Sequence, residues 1–221
     1  MEEGEGARRR VAIVPGVAVR AYAREAADAL RHRGFHTVLL PGPGQAGTGA
    51  DLAAYVEHVL PVVREHQPEV LVGLSVGTQA AALLAQRRTE LPLRHLILIG
   101  PTVDPKARST ARLMARWLKA GTKERARLTV SQLPDWRDSG GRRIAGVLRS
   151  AMDVRLEDVL RDVDAEVTIV HAEQDAVTSH GYAASLANQR QSPLLVVPKA
   201  THSWPYADEH RFVTTVEGVL L

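Results

Sequence analysis

The 221-residue chain has no cysteine. That absence excludes disulfide scaffolds, Cys-ligated zinc, iron–sulfur clusters and every thiol nucleophile. Covalent chemistry therefore falls to Ser, Thr, Lys, His or a carboxylate. Aromatic residues are scarce, at 4%, and neither an RNA-recognition aromatic pattern nor zinc-finger spacing occurs. Long apolar runs are missing as well, and none approaches the ~20 residues that cross a bilayer. Val11 to Val19, behind Arg8-Arg9-Arg10, imitates a secretory leader, with Ala21-Tyr22-Ala23 in place of a cleavage site. Pro15-Gly16 breaks that run, Arg20 crowds the cleavage position, and Glu2, Glu3 and Glu5 spoil a basic start. The expectation is a soluble, cytoplasmic protein without a membrane span.

Lysine is rare too: of 28 basic residues only four are Lys. The net charge of +3 is unevenly spread, because residues 104–149 hold twelve Lys/Arg against four Asp/Glu while the remainder is net acidic. A basic segment on an acidic body argues against a nucleic-acid partner. With 45% hydrophobic and 24% charged residues, the composition is that of a folded chain. The length suits a single domain over 1–221.

Short β-branched runs alternate with amphipathic stretches. Strands are expected at 11–14, 37–40, 70–74, 95–99, 167–171 and 194–197. Helices are expected at 21–33 (closed by Gly34), 51–66, 76–88, 179–190 and about 205–219. Between the fourth and fifth strands, residues 105–161 read as consecutive helices punctuated by Gly121, Pro134 and Gly140-Gly141. Continuous apolar strands between helices imply an α/β fold. The expected architecture is a doubly wound, mostly parallel six-stranded sheet, with a helical segment (102–162) inserted after the fourth strand.

The chemistry concentrates in Gly73-Leu74-Ser75-Val76-Gly77, at a strand-to-helix junction. A serine on that tight turn stands exposed above the strand ends, and the amide of Val76 points toward a developing oxyanion. A nucleophilic serine needs a base, and the base an orienting acid. In open parallel sheets both must come from loops at the carboxyl ends of strands. Asp175 follows the fifth strand and His202 the sixth. Asp104 reads first as an N-cap before Pro105, and second as an alternative acid. Gly42-x-Gly44-x-x-Gly47 matches a dinucleotide fingerprint literally, but no acidic residue ends a strand about twenty residues on, so no cofactor is expected. No histidine pair has metal spacing; His58 and His66 read as solvated, and no metal is expected. His171 reads as a strand-end packing residue.

In chain order, Ser75, Asp175 and His202 resemble the catalytic set of the α/β-hydrolase superfamily, and the resemblance extends from Val11 nearly to the end. It implies a nucleophile, acid and histidine after strands that correspond to the superfamily's fifth, seventh and eighth. It further implies oxyanion donors at the amides of Val17 and Val76, and a lid formed by the inserted helices. This chain departs in lacking the superfamily's first two strands, and in having Pro15-Gly16 where His-Gly is usual.

On the helix near 106–120, Ala107, Ala111, Met114 and Leu118 form an apolar stripe, and Arg108, Arg112 and Arg116 a basic one. The basic face is expected in solvent, or alternatively as an attractor for an anionic substrate or acidic carrier protein. Met114, Trp117 and Trp204 are expected in the substrate pocket, with Trp136 as a further candidate. The resemblance implies a serine esterase or thioesterase, or an acyl transferase, acting on a small molecule that is apolar or acyl-carrier-linked. The same scaffold also supports non-hydrolytic lyase, isomerase, cyclase or carbon–carbon bond-forming enzymes, and a homodimer is compatible with the sequence.

Overall fold

A computed structural model describes residues 9–20, 23–87, 90–121 and 126–220; the side chains of 107, 110, 114, 117, 118, 121 and 126–129 lie outside the description. Six strands form one sheet in the order β2-β1-β3-β4-β5-β6, with every neighbouring pair parallel. They are β1 (Arg10–Val14), β2 (His36–Leu39), β3 (Val70–Leu74), β4 (His95–Ile99), β5 (Glu166–Ala172) and β6 (Leu194–Val197).

Strand side chains alternate between two cores, because successive residues point to opposite faces. On one face Ala12, Val14, Leu71, Leu96, Leu98 and Ile169 pack under α2 (Leu52–His66), α3 (Gly77–Ala85) and α8 (His180–Arg190). On the other, Val11, Ile13, Val72, Ile97 and Val170 pack under α1 (Arg24–His32) and α10 (Glu209–Leu220). β1 lies between β2 and β3, so the chain runs to one side after β1 and then crosses to the other. That reversal is the switch point outside which open α/β sheets bind ligands. Ser75 and the 15–19 loop both leave the sheet there.

The inserted helices are α4 (Thr110–Gly121), α5 (Ala126–Ser139), α6 (Gly141–Asp153) and α7 (Leu156–Val159), with short 3-10 turns at Pro105–Ala107 and Leu160–Asp162. Pro134 does not break the segment as expected but lies inside α5. The C-terminal helix, expected as one piece, is two: α9 (Trp204–Ala207) and α10. Asp208 divides them, in a non-helical conformation with its side chain accepting from the Arg211 amide, so it caps α10. His66, expected in solvent, is instead held at the carbonyls of Val11 and His36, both 3.1 Å from Nε2. Among the described residues no helix is long and apolar enough to cross a membrane.

Of the basic stripe Arg112 faces solvent as expected, but Arg108 and Arg116 do not. Arg116 pairs with Asp104 at 3.0 Å and donates to the Val177 carbonyl at 3.2 Å. Arg108 pairs with Glu157 at 2.9 Å. Two mostly buried carboxylates thus attract these two guanidinium groups inward, Ala111 is left exposed, and Leu113 turns inward. The side chains of Ala107, Met114 and Leu118 lie outside the described residues.

Asp104 also accepts from Ser179 Oγ at 2.6 Å and the Lys106 amide at 2.8 Å. Burial pushes its carboxyl up, but these donors and Arg116 outweigh burial and hold it below the usual carboxylate range. A depressed folded-state pKa contributes stability above the ordinary carboxylate range that is lost as pH falls through the depressed value. The melting temperature is therefore expected to hold down to about pH 5 and fall on further acidification. Arg116→Met should start lower and fall less steeply. Parallel melting curves for the two proteins between neutral and acid pH would refute that role.

Candidate active site

Ser75 adopts φ +55, in the left-handed region rarely used by residues with a side chain. Such backbone costs on the order of 1–3 kcal/mol and persists only where its surroundings enforce it. Here the Ser75 amide donates to the Ile99 carbonyl at 3.0 Å, and its carbonyl accepts from the Thr78 hydroxyl at 2.6 Å and the Thr78 amide at 3.0 Å. The flanking glycines allow the close approach. A Cβ on Gly73 would lie 2.8 Å from the Gly77 carbonyl oxygen, and one on Gly77 would lie 2.3 Å from the carbonyl oxygens of both Val14 and Pro15.

The turn raises Ser75 Oγ to 2.9 Å from His202 Nε2, and His202 Nδ1 lies 2.8 Å from Asp175 Oδ2. Asp175 Oδ1 accepts from the amides of Val177 (2.7 Å) and Thr178 (2.9 Å). With its side chain fully buried, Asp175 cannot turn to water. Burial pushes its carboxyl up, yet His202 and the two amides prevail and hold it below the usual range, so it is a carboxylate at neutral pH. A carboxylate only accepts, so Nδ1 carries the proton and Nε2 is left to accept from the serine hydroxyl.

The loops bearing Asp175 and His202 are zipped together past the strand ends. The Gln174 amide donates to the Ala200 carbonyl at 2.8 Å, and the Lys199 amide to Glu173 Oε2 at 2.6 Å. Gly100, at φ +58, lies beneath the pair. A Cβ there would sit 3.0 Å from His202 Cε1 and 3.5 Å from Asp175 Oδ2. Sequence reasoning did not single it out, although a glycine directly after an apolar strand was the available signal.

Asp104 is not at the histidine: its carboxylate is engaged by Arg116, Ser179 and the Lys106 amide. His171 is buried with its ring 5.3 Å from that of His180. Burial lowers its pKa against the opposite pull of Asp175.

Above Ser75 lies a cavity of about 280 Å³. Its floor includes Val17, Ser75, Val76 and His202, so both residues expected to donate amides to an oxyanion border it. Leu113, Gln132, Trp136, Ile144 and Leu148 contribute from the inserted helices. Among the described lining residues there is no Asp, Glu, Lys or Arg. The 16–19 stretch is set by Gly42, where a Cβ would meet the Val19 carbonyl oxygen at 2.4 Å, and by the Ala18 amide donating to the Pro43 carbonyl at 2.7 Å. Of the 42–47 fingerprint, Gly42 thus serves loop packing, Gly44 lies against Val147, and Gly47 has only its positive φ of +87, with nothing within 4 Å of an added Cβ.

Trp204, expected in the pocket, does not line it. It is buried in the core with its ring 6.4 Å from that of Phe212, because α9 begins there and turns the indole under the sheet. Its neighbours Pro205 and Tyr206 reach the cavity instead. Among the described tryptophan side chains, Trp136 is the one in the wall. The side chains of Met114 and Trp117 lie outside the described residues. No group of three or more His, Asp or Glu side chains suited to a metal ion occurs among the described residues.

A family model described as "Alpha/beta hydrolase family" matches residues 11–215. The chain belongs to the α/β hydrolase family. Similar solved structures share its fold. One is a thermophilic esterase from Thermogutta terrifontis, at 17% identity and TM-score 0.76, covering 96% of this chain and 89% of that one. Another is MenH from S. aureus, at 15% identity and TM-score 0.74, covering 96% and 93%. A third is the thioesterase domain from the curacin biosynthetic pathway, at 15% identity and TM-score 0.70, covering 97% and 92%. No curated protein sequence matches significantly.

Proposed function

We propose that this protein is a serine hydrolase acting on a compact, uncharged ester or thioester, with Ser75 as nucleophile, His202 as general base and Asp175 as orienting acid. The observation that carries the reading is the continuous hydrogen-bond chain from Asp175 through His202 to Ser75 on the floor of the cavity. Ser75 Oγ attacks the acyl carbonyl carbon while its proton passes to His202 Nε2, and the imidazolium that forms rests against the Asp175 carboxylate. The carbonyl oxygen, now negative, takes hydrogen bonds from the amides of Val17 and Val76. Collapse expels the alcohol or thiol, which leaves with the proton from His202. Water then repeats the sequence on the acyl-enzyme and releases the acid.

The helical insertion acts as the lid of this site, since five of its described side chains wall the cavity. An uncharged substrate follows from the lining, and from the pairing of Arg108 and Arg116 with Glu157 and Asp104. A volume near the lower end of the roughly 300–1,000 Å³ usual for ligand pockets favours a small acyl group. A fluorophosphonate probe is expected to label the wild type on Ser75 and to leave Ser75→Ala unlabelled. An unlabelled wild type, or equal labelling of both proteins, would refute Ser75 as nucleophile.

A further inference from the structure

Among the described side chains of α5, two apolar ones face solvent while a polar one is turned inward. Val130 and Leu133 stand in solvent at 63% and 53% exposure, while Gln132 is turned inward at 9% and borders the apolar cavity. Trp136, one helical turn on, shares that inward face.

The Gln132 amide makes no side-chain hydrogen bond to any described residue. Gln79, also buried, shows the contrast. Its Nε2 donates to the Thr102 carbonyl at 3.3 Å and its Oε1 accepts from the Thr102 hydroxyl at 3.2 Å. Buried polar groups are nearly always paired, and one left unpaired destabilises the fold. A neutral amide with both a donor and an acceptor open toward a cavity complements an uncharged group in that cavity.

We infer that Gln132 is a specificity-determining residue that hydrogen-bonds a second oxygen function, a hydroxyl or carbonyl, on the part of the substrate lying under the inserted helices. This rests on the hydrolase reading above and narrows it. The substrate is a neutral ester or thioester with a hydroxyl or oxo group, rather than a plain alkyl ester. An anionic group is disfavoured there, because no cation among the described lining residues would pair with it.

Two matched ester series of stepped chain length test this. One compares p-nitrophenyl alkanoates with their ω-hydroxy counterparts; the other compares alkyl acetates with ω-hydroxyalkyl acetates. The wild type is expected to prefer the hydroxylated member by about tenfold or more in kcat/KM at one chain length, equivalent to ~1.4 kcal/mol. Gln132→Leu should bring that ratio to about one, and Gln132→Asn should move the preferred length to a longer chain. If the hydroxylated-to-plain ratio is the same in wild type and Gln132→Leu at every length of both series, the inference is overturned. Failure of the hydrolase reading looks different: the wild type then takes no fluorophosphonate and turns over neither series. In that event thermal shifts of Ser75→Ala with the acetate pairs decide. A larger shift for the hydroxylated member, lost in Ser75→Ala/Gln132→Leu, supports Gln132, and equal shifts refute it.

Discussion

Asp175→Asn is expected to lower kcat by about 10⁴-fold while leaving the protein folded. The size of the loss follows from which atoms of Asp175 are already committed. The amides of Val177 and Thr178 both donate to Oδ1, so the oxygen of an asparagine must stay on that side. Its NH₂ group then faces His202 Nδ1, where Oδ2 stood at 2.8 Å. Two donors cannot meet, and the imidazole responds by moving its proton to Nε2. In that tautomer Nε2 no longer accepts from the Ser75 hydroxyl, and the base is lost without a change of shape. Kinetics with a p-nitrophenyl ester, alongside melting curves, separate this from unfolding. A loss of less than tenfold would show that another group orients His202.

Gly77→Ala is expected to lower the melting temperature by roughly 10 °C, from a destabilisation of about 3 kcal/mol or more. It should also slow fluorophosphonate labelling at least a hundredfold. The added methyl would lie 2.3 Å from two carbonyl oxygens, those of Val14 and Pro15, and backbone cannot swing aside as a side chain can. Relief requires α3 and the end of β1 to separate. Those carbonyls lead directly into Gly16 and Val17 on the cavity floor, so the strain reaches the amide proposed above as an oxyanion donor. Gly218→Ala is the control, since a methyl at that position would have nothing within 4 Å. If Gly77→Ala melts and labels like Gly218→Ala, the close contact between α3 and β1 is not what sets that loop.

Much of the sheet was legible in the sequence because its strands are buried on both faces, and such strands write themselves as unbroken β-branched runs. Val70–Leu74 and His95–Ile99 fall where those runs predict, and so does Leu194–Val197, although it is an edge strand with Leu195 and Val196 exposed. Ser75, Asp175 and His202 were also legible, each marked by its position after a strand, and the structure brings their side chains within hydrogen-bond reach. What was not legible depends on partners distant in sequence. The inward turn of Arg108 and Arg116 is set by Glu157 and Asp104, which no helical periodicity reveals. Trp204 follows His202 by two residues and is expected in the pocket, but the start of α9 decides which way the indole points. Gly100 matters through the imidazole above it, a contact spanning about a hundred residues. Gln132 on a surface helix reads as an ordinary polar residue until its exposure is compared with that of Leu133.

The placement of two tryptophans has an optical consequence. Trp136 stands in the cavity wall and Trp204 is sealed beside Phe212, so the two indoles emit from different surroundings. In a Trp117→Phe background, which leaves these two of the chain's three tryptophans, light quenched or shifted by whatever enters the cavity comes from Trp136, whereas Trp204 changes only when the core opens. A Trp136→Phe variant subtracts the first signal, and the chain then carries its own fluorescent gauge of occupancy, distinct from its gauge of folding.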